Sequence, residues 1–143
     1  MRTIIFTLSF LISIVSFACE DEPKTTPKIF VEKWSQGEGA DGVTVYYPSE
    51  SEGVPVSSFT LNIEVSEETY ITTDLMIRPM RDDFHGLEKK EYKVSYIYLS
   101  EEFYGAASVA VKYEPQLGED EPLLGCMPLP EFHKLTSLVA DNA

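Results

Sequence analysis

The sequence contains few of the side chains that most enzymes use for catalysis. It has two histidines and two cysteines in 143 residues, whereas a serine or cysteine nucleophile needs a neighbouring base, most often a histidine. It has no Gly-x-Ser-x-Gly elbow, no Gly-rich phosphate loop, no Cys-x-x-Cys pair and no His-Glu-x-x-His pair. The sequence therefore indicates no reaction, and we expect a protein that works without catalysis and without a cofactor.

Positive charge is also scarce. Eleven Lys and Arg stand against 24 Asp and Glu, which gives a formal net charge of −13. A polyanion is repelled by the phosphates of nucleic acids, so we expect no nucleic-acid partner. Acidic pairs such as Glu67-Glu68 and Asp82-Asp83 lie between the predicted strands, where water screens them. They predict a solvated acidic surface.

No apolar run is long enough to cross a membrane, which takes about 20 residues. The longest run, from Ile4 to Ala18, follows Arg2 and ends in Ser16-Phe17-Ala18, with small side chains at the third-last and last positions. A positive end, an apolar middle and small residues before a cleavage site are the parts of a secretory signal peptide. Residues 1–18 are therefore predicted to be a signal peptide cleaved after Ala18.

Cys19 follows the predicted cleavage site, so this region resembles a bacterial lipoprotein signal, in which the sulfur receives a lipid. The acids that come next, Glu20-Asp21-Glu22, resemble the tether that takes some Gram-negative lipoproteins to the outer face of the outer membrane. The resemblance implies a cell-surface protein held in the membrane through a lipid on Cys19. The alternative is a periplasmic or secreted protein with a Cys19–Cys126 disulfide, since an oxidising compartment favours pairing.

Residues 19–27 have almost no apolar side chains and are predicted to be an acidic, Pro/Thr-containing tether. Residues 28–143 are predicted to form one domain, in which apolar residues recur with period two, the β-strand pattern. Short polar connectors favour antiparallel pairing. We therefore expect an all-β fold, a single antiparallel β-sandwich of Ig-like or transthyretin-like type with about 6–7 strands.

The alternation is clearest from Ser58 to Ser66, from Tyr92 to Tyr98 and from Ala107 to Tyr113, and Tyr92, Val94 and Tyr96 are predicted to face the core. Weaker strand candidates are Ile29–Trp34, Val43–Tyr47 and Tyr70–Ile77, with Pro122–Met127 as the seventh. After Pro130 the apolar spacing changes to that of a short C-terminal helix.

Gly53-Val54-Pro55-Val56 before one strand, Thr73-Asp74, and the series Gly86, Leu87, Tyr92 and Val94 resemble the motifs of transthyretin-like, carboxypeptidase-regulatory-like β-sandwich domains of bacterial surface lipoproteins. Lys90 stands where that pattern has a second glycine. The resemblance implies a scaffold or binding module and transfers no catalytic residue.

Two further hypotheses concern particular side chains. Phe103 and Tyr104, in a predicted loop beside Gly105, are the best candidates for contact with a protein or glycan partner. The order His85, Cys126, His133 is that of the copper ligands in cupredoxins. A secreted cupredoxin-like metal-binding protein is therefore the alternative function, and a small hydrolase comes third.

Overall fold

The computed structural model describes residues 27–115, 118 and 130–141. In these ranges the chain forms nine strands, a 3-10 helix and an α-helix. The strands are β1 (Phe30–Ser35), β2 (Asp41–Pro48), β3 (Glu50–Ser51), β4 (Val54–Ser66), β5 (Thr69–Leu75), β6 (Arg78–Pro79), β7 (Tyr92–Tyr98), β8 (Ala107–Tyr113) and β9 (His133–Lys134). The 3-10 helix is Glu101–Ala106 and α1 is Leu135–Asp141.

The strands form two antiparallel sheets. One has the order β1-β2-β7-β6; the other has the order β3-β4-β8-β9, and β5 pairs with β4. The 13-residue strand β4 pairs with three strands, β3, β5 and β8, and it is the longest strand among the described residues. The prediction of an all-β chain with antiparallel sheets is confirmed. The six strands of six or more residues overlap the predicted ranges, and β7 and β8 coincide with Tyr92–Tyr98 and Ala107–Tyr113; the two-residue strands β3, β6 and β9 are additional to the prediction.

The two sheets pack face to face in a sandwich-like arrangement. The ring of Tyr47 on β2 stacks on that of Phe59 on β4, with 4.9 Å between centroids and 4° between planes. This shared core, called the main core below, also takes in Leu135 and Leu138 of α1, which confirms the short C-terminal helix. Its buried side chains are Ile29, Val31, Val43, Val45, Tyr47, Phe59, Leu61, Ile97, Tyr104, Ala107, Val109, Val111, Leu135 and Leu138.

A short chain of hydrogen bonds crosses the inner face of the four-stranded sheet. Ser95 Oγ donates to the carbonyl of Met76 at 2.9 Å, and it lies 2.7 Å from the hydroxyl of Tyr47. Because a serine hydroxyl has one proton, Tyr47 must be the donor to Ser95. Burial raises the pKa of Tyr47 to about 12, against the smaller opposing effect of the Ser95 hydrogen bond. The network therefore ties β2 and β7 to the segment between β5 and β6.

Of Tyr92, Val94 and Tyr96, which the alternation predicts to face the core, Val94 is buried and Tyr96 is not. Ser95 and Ile97 point into the main core, whereas Val94 packs in a second cluster on the opposite face and Tyr96 is 44% exposed. Ser95 is buried because its hydroxyl accepts a hydrogen bond from Tyr47 inside the core. The tyrosines of β7 are therefore on the outer face of the sheet.

Several predicted features fall elsewhere or cannot be placed. Thr73 and Asp74, expected at a turn by the transthyretin-like pattern, lie inside β5. The predicted signal peptide (1–18), Cys19, Cys126 and the predicted seventh strand (Pro122–Met127) lie outside the described residues. Within the described ranges, no helix has the length and apolar character to cross a membrane.

Candidate binding surface

The outer face of the four-stranded sheet, turned away from the main core, carries most of the exposed aromatic surface of β1, β2 and β7. The strand register arranges its side chains in three rows across these strands. The rows are Phe30, Tyr46 and Val94; Glu32, Thr44 and Tyr96; and Trp34, Gly42 and Tyr98. The first row is covered and the third is open.

The covered half is closed by residues 80–91, the connection from β6 to β7. Met80 and Leu87 from this connection are each only 7% exposed, and they bury Val94 of the sheet. The ring of Phe84 stacks on Tyr46, with 5.5 Å between centroids and 16° between planes. Aromatic stacking and apolar burial together make a second, smaller core on this side of the sheet; Phe30 and Tyr92 pack against it.

A tight turn holds this cover in place. Phe84 and Leu87 exchange two backbone hydrogen bonds of 3.1 and 2.8 Å, and the two residues between them, His85 and Gly86, have φ of 48° and 80°. Two positive φ values at the centre of a two-residue connection define a type I′ hairpin turn. The turn directs Phe84 and Leu87 onto the sheet and leaves His85 exposed. The geometry gives His85 a conformational role in the loop.

The open half is an aromatic groove. Tyr96 and Tyr98 are 44% and 73% exposed, and Trp34 meets Tyr98 edge to face, with 5.1 Å between ring centroids. The indole of Trp34 lies against Gly42, where a Cβ would collide with the ring and with the carbonyl of Ile97. The groove, called the open groove below, measures about 500 Å³. It is lined by Trp34, Gln36, Thr44, Leu75, Met76, Arg78, Tyr96 and Tyr98.

Arg78 is the single charged side chain in the lining of the open groove. Its guanidinium carbon lies 5.9 Å from the ring centroid of Tyr96, a cation–π distance. In the part of the chain that the structure describes, the ion pairs are made by lysines, and Arg78 has no carboxylate partner. These pairs are Lys33–Glu101, Lys90–Glu88, Lys112–Glu114 and Lys134–Glu64. An exposed guanidinium in so acidic a chain leaves its donors available to a ligand.

A second cavity, of about 820 Å³, runs beside β1 between the 84–87 turn, the 3-10 helix and α1. Here the Tyr46 hydroxyl donates to Glu32 at 3.1 Å, and Lys33 pairs with Glu101 at 3.2 Å. Burial, and then the neighbouring Glu32 carboxylate, raise the pKa of Tyr46 above its ordinary value. The polar groups named here are therefore paired with one another. The residues that line this second cavity are Phe30, Val31, Glu32, Lys33, Tyr46, Phe84, His85, Leu87, Glu101, Tyr104, Thr136, Val139 and Ala140.

The predicted contact residues Phe103 and Tyr104 lie on the 3-10 helix and point in different directions. Phe103 is 49% exposed, whereas Tyr104 is buried in the main core and has its pKa raised, chiefly by burial. Of the two, only Phe103 offers its ring to a partner. The role of these residues in binding stays a prediction.

The structure places the two histidines of the copper alternative next to different sheets. His85 is in the turn over the four-stranded sheet, and His133 is on β9, paired with Val109 of the other sheet. Cys126 lies outside the described residues, and residues 27–115, 118 and 130–141 hold no group of three His, Cys, Asp or Glu side chains suited to a metal ion. In the same ranges neither imidazole hydrogen-bonds a hydroxyl or a carboxylate.

The sequence pattern does not predict that Trp34, Arg78, Tyr96 and Tyr98 line one groove. The alternation does put Tyr96 and Tyr98 on one face, but nothing local to the sequence indicates that this half of the face is uncovered. The pairing of Trp34 with Gly42 depends on strand register, which a single sequence does not specify. Comparison with protein-family models, with curated proteins and with solved structures finds no match.

Proposed function

We propose that this protein is a non-catalytic binding module, anchored at the bacterial cell surface by a lipid on Cys19, that holds its ligand in the open groove. The observation that carries the proposal is the exposure of Tyr96 and Tyr98 beside the half-buried Trp34, on a sheet whose other half is closed. A concave site lined by aromatic rings with a few polar groups is the usual form of a ligand site.

The chemistry of the groove supports binding. Large apolar side chains grouped on a surface mark interaction sites, whereas single exposed ones are ordinary. Met76, 68% exposed, extends the apolar surface next to Tyr96 and Tyr98. Tyrosine and tryptophan combine broad apolar faces with a polar tip, which suits a surface that is wet when free and covered when bound. The grouping therefore favours a binding surface over random exposure.

The anchor is supported by the sequence alone. Ser16-Phe17-Ala18 before Cys19, and the acids after it, are what favour cleavage and lipidation over a secreted product. A transthyretin-like sandwich is the fold type that we propose for the domain, on the strength of the Gly86, Leu87, Tyr92 and Val94 spacing. Such a domain, held on a tether, would place the groove in the extracellular medium.

Mass spectrometry of the mature N-terminus tests the anchor. We expect Cys19 as the first residue, modified with diacylglycerol. An unmodified Cys19 joined to Cys126 by a disulfide would refute anchoring and support the periplasmic or secreted alternative.

The fluorescence of Trp34 tests the groove, because it is the one tryptophan of the chain and every change in its emission reports this surface. The full chain, purified in detergent, is titrated with polysaccharide and protein fractions of the cell envelope. We expect at least one fraction to shift the emission, Tyr98→Ala to abolish the shift, and Tyr70→Ala, an exposed tyrosine on β5, to preserve it. Binding that Phe103→Ala abolishes and Tyr98→Ala leaves intact would instead place the contact on the 3-10 helix.

A further inference from the structure

The chemistry lining the open groove narrows the class of ligand that it fits. The lining of the groove combines aromatic rings with hydrogen-bonding groups: Trp34, Tyr96 and Tyr98 supply the rings, and Gln36, Thr44 and the tyrosine hydroxyls supply polar atoms. A pyranose ring presents the matching pattern, with apolar C–H faces for the rings and equatorial hydroxyls for the polar groups. The volume of about 500 Å³ is within the range of small-ligand sites.

The charge of the groove narrows the class further. Arg78 is the single ionised group in the lining, and it has no carboxylate partner in the described part of the chain. A guanidinium presents its donors in a planar fork that matches a carboxylate. The net charge of −13 repels anions at long range, but this repulsion is screened beyond about 8 Å at physiological ionic strength. For an anionic ligand in the groove, the contact with Arg78 is therefore the strongest electrostatic interaction.

The acidity of the chain also argues against a protein partner that has no basic residues at the contact. A specific protein interface covers about 800 Å² on each side, which extends well beyond the groove and would enclose neighbouring carboxylates such as that of Glu38, in the turn that follows the lining residue Gln36. Burying a charge without a partner is costly. A saccharide chain, by contrast, can follow the groove and leave these carboxylates in water.

We propose that the open groove binds an acidic saccharide, with a sugar ring packed on Trp34 and Tyr98 and its carboxylate held by Arg78. This inference rests on the proposed function, because it assigns a ligand class to the same surface.

The test uses Trp34 emission of the full chain with two probes that share one saccharide backbone, the charged hexagalacturonate and its uncharged methyl ester. We expect the acid to bind at least about tenfold more tightly than the ester, since a hydrogen-bonded charge pair outweighs a neutral one. Arg78→Gln should weaken acid binding to the level of the ester. Arg81→Gln, an exposed arginine three residues away and outside the groove lining, should leave both affinities unchanged.

Three outcomes would overturn the inference. In the first, the emission responds to a protein fraction of the envelope and to neither probe. That result refutes the assignment of a saccharide ligand and leaves the groove as a binding site. Equal affinity for acid and ester, untouched by Arg78→Gln, refutes the role of the carboxylate. Emission that responds to no fraction and no probe refutes both the ligand class and the proposed function. Circular dichroism and thermal midpoints of each variant separate these results from unfolding.

Discussion

Val94 and Tyr96 are two residues apart on β7 and point to the same side of the sheet, yet one is 4% exposed and the other 44%. Val94 lies in the covered half, beneath Met80 and Leu87. Tyr96 lies in the open half, next to Arg78. The strand itself is regular through both residues, and its pairing with β2 is unbroken. The difference therefore comes from what lies over the sheet.

The 80–91 connection accounts for that difference. Its type I′ turn at His85 and Gly86 sets Phe84 on Tyr46 and buries Leu87, and the cover ends there. The closed half of this sheet face contributes stability, and the open half leaves aromatic rings exposed, as the proposed binding requires. Substitutions in the two halves should therefore have opposite effects on stability and binding.

The largest expected effect is that of Leu87→Ala in the covered half. Truncating a buried leucine removes apolar contacts and leaves a cavity, so we expect a loss of about 3 kcal/mol in the free energy of unfolding, measured with urea. Its matched control is Met76→Ala in the open half, where 68% exposure predicts a change within about 0.5 kcal/mol. Equal losses for the two variants would contradict the division of the face.

The next effect is that of Gly42→Ala, beneath the open half. A methyl group there would meet the carbonyl of Ile97, which cannot move without the sheet, and the ring of Trp34. We expect a loss of about 2 kcal/mol together with a red shift of Trp34 emission, since the indole must lift into water. Gly105→Ala, whose added methyl meets nothing within 4 Å, is the control and should change neither quantity. An unshifted spectrum in Gly42→Ala would disprove the packing described for Trp34.

A smaller effect concerns Tyr46 at alkaline pH. Burial and Glu32 raise the pKa of Tyr46 in the folded protein, so above pH 10 the unfolded chain loses this proton first, and stability falls as pH rises. In Tyr46→Phe the decline between pH 10 and 11 should be shallower, by less than about 1.4 kcal/mol per pH unit, the limit for one proton, because solvent screens a half-buried group. Urea unfolding at pH 9, 10 and 11 measures this, and parallel curves would contradict it.

The sequence was sufficient to predict the strands and insufficient to predict their surroundings. Alternation located β4, β7 and β8, because period two is a local property of strands. It could not decide which face of β7 meets the main core, since both faces carry apolar residues and the buried polar residue, Ser95, resembles a surface residue until its contact with Tyr47 is known. A polar residue that is buried and hydrogen-bonded in a core cannot be recognised as buried from the sequence.

The candidate site was harder to predict than the fold. Its members come from β1, β6 and β7, and they meet through strand register, which depends on contacts between segments far apart in the chain. Tyr104 and Phe103 were predicted together, but their burial differs: the short 3-10 helix places Tyr104 in the main core and leaves Phe103 exposed. Composition and position in a connector could suggest both residues as contacts but could not separate them.

The smallest effect on stability is expected for Tyr98→Ala, in the open half of the sheet face. Tyr98 is 73% exposed and makes an edge-to-face contact with Trp34, so its removal should lower the free energy of unfolding by only about 0.5 kcal/mol. The emission of Trp34 should nevertheless move to the red, because one side of the indole loses its cover. A residue that contributes little to stability and borders the single tryptophan is what a binding surface requires. A loss as large as that of Leu87→Ala would mean that the open half also serves as core, and the separation of tasks between the two halves would fail.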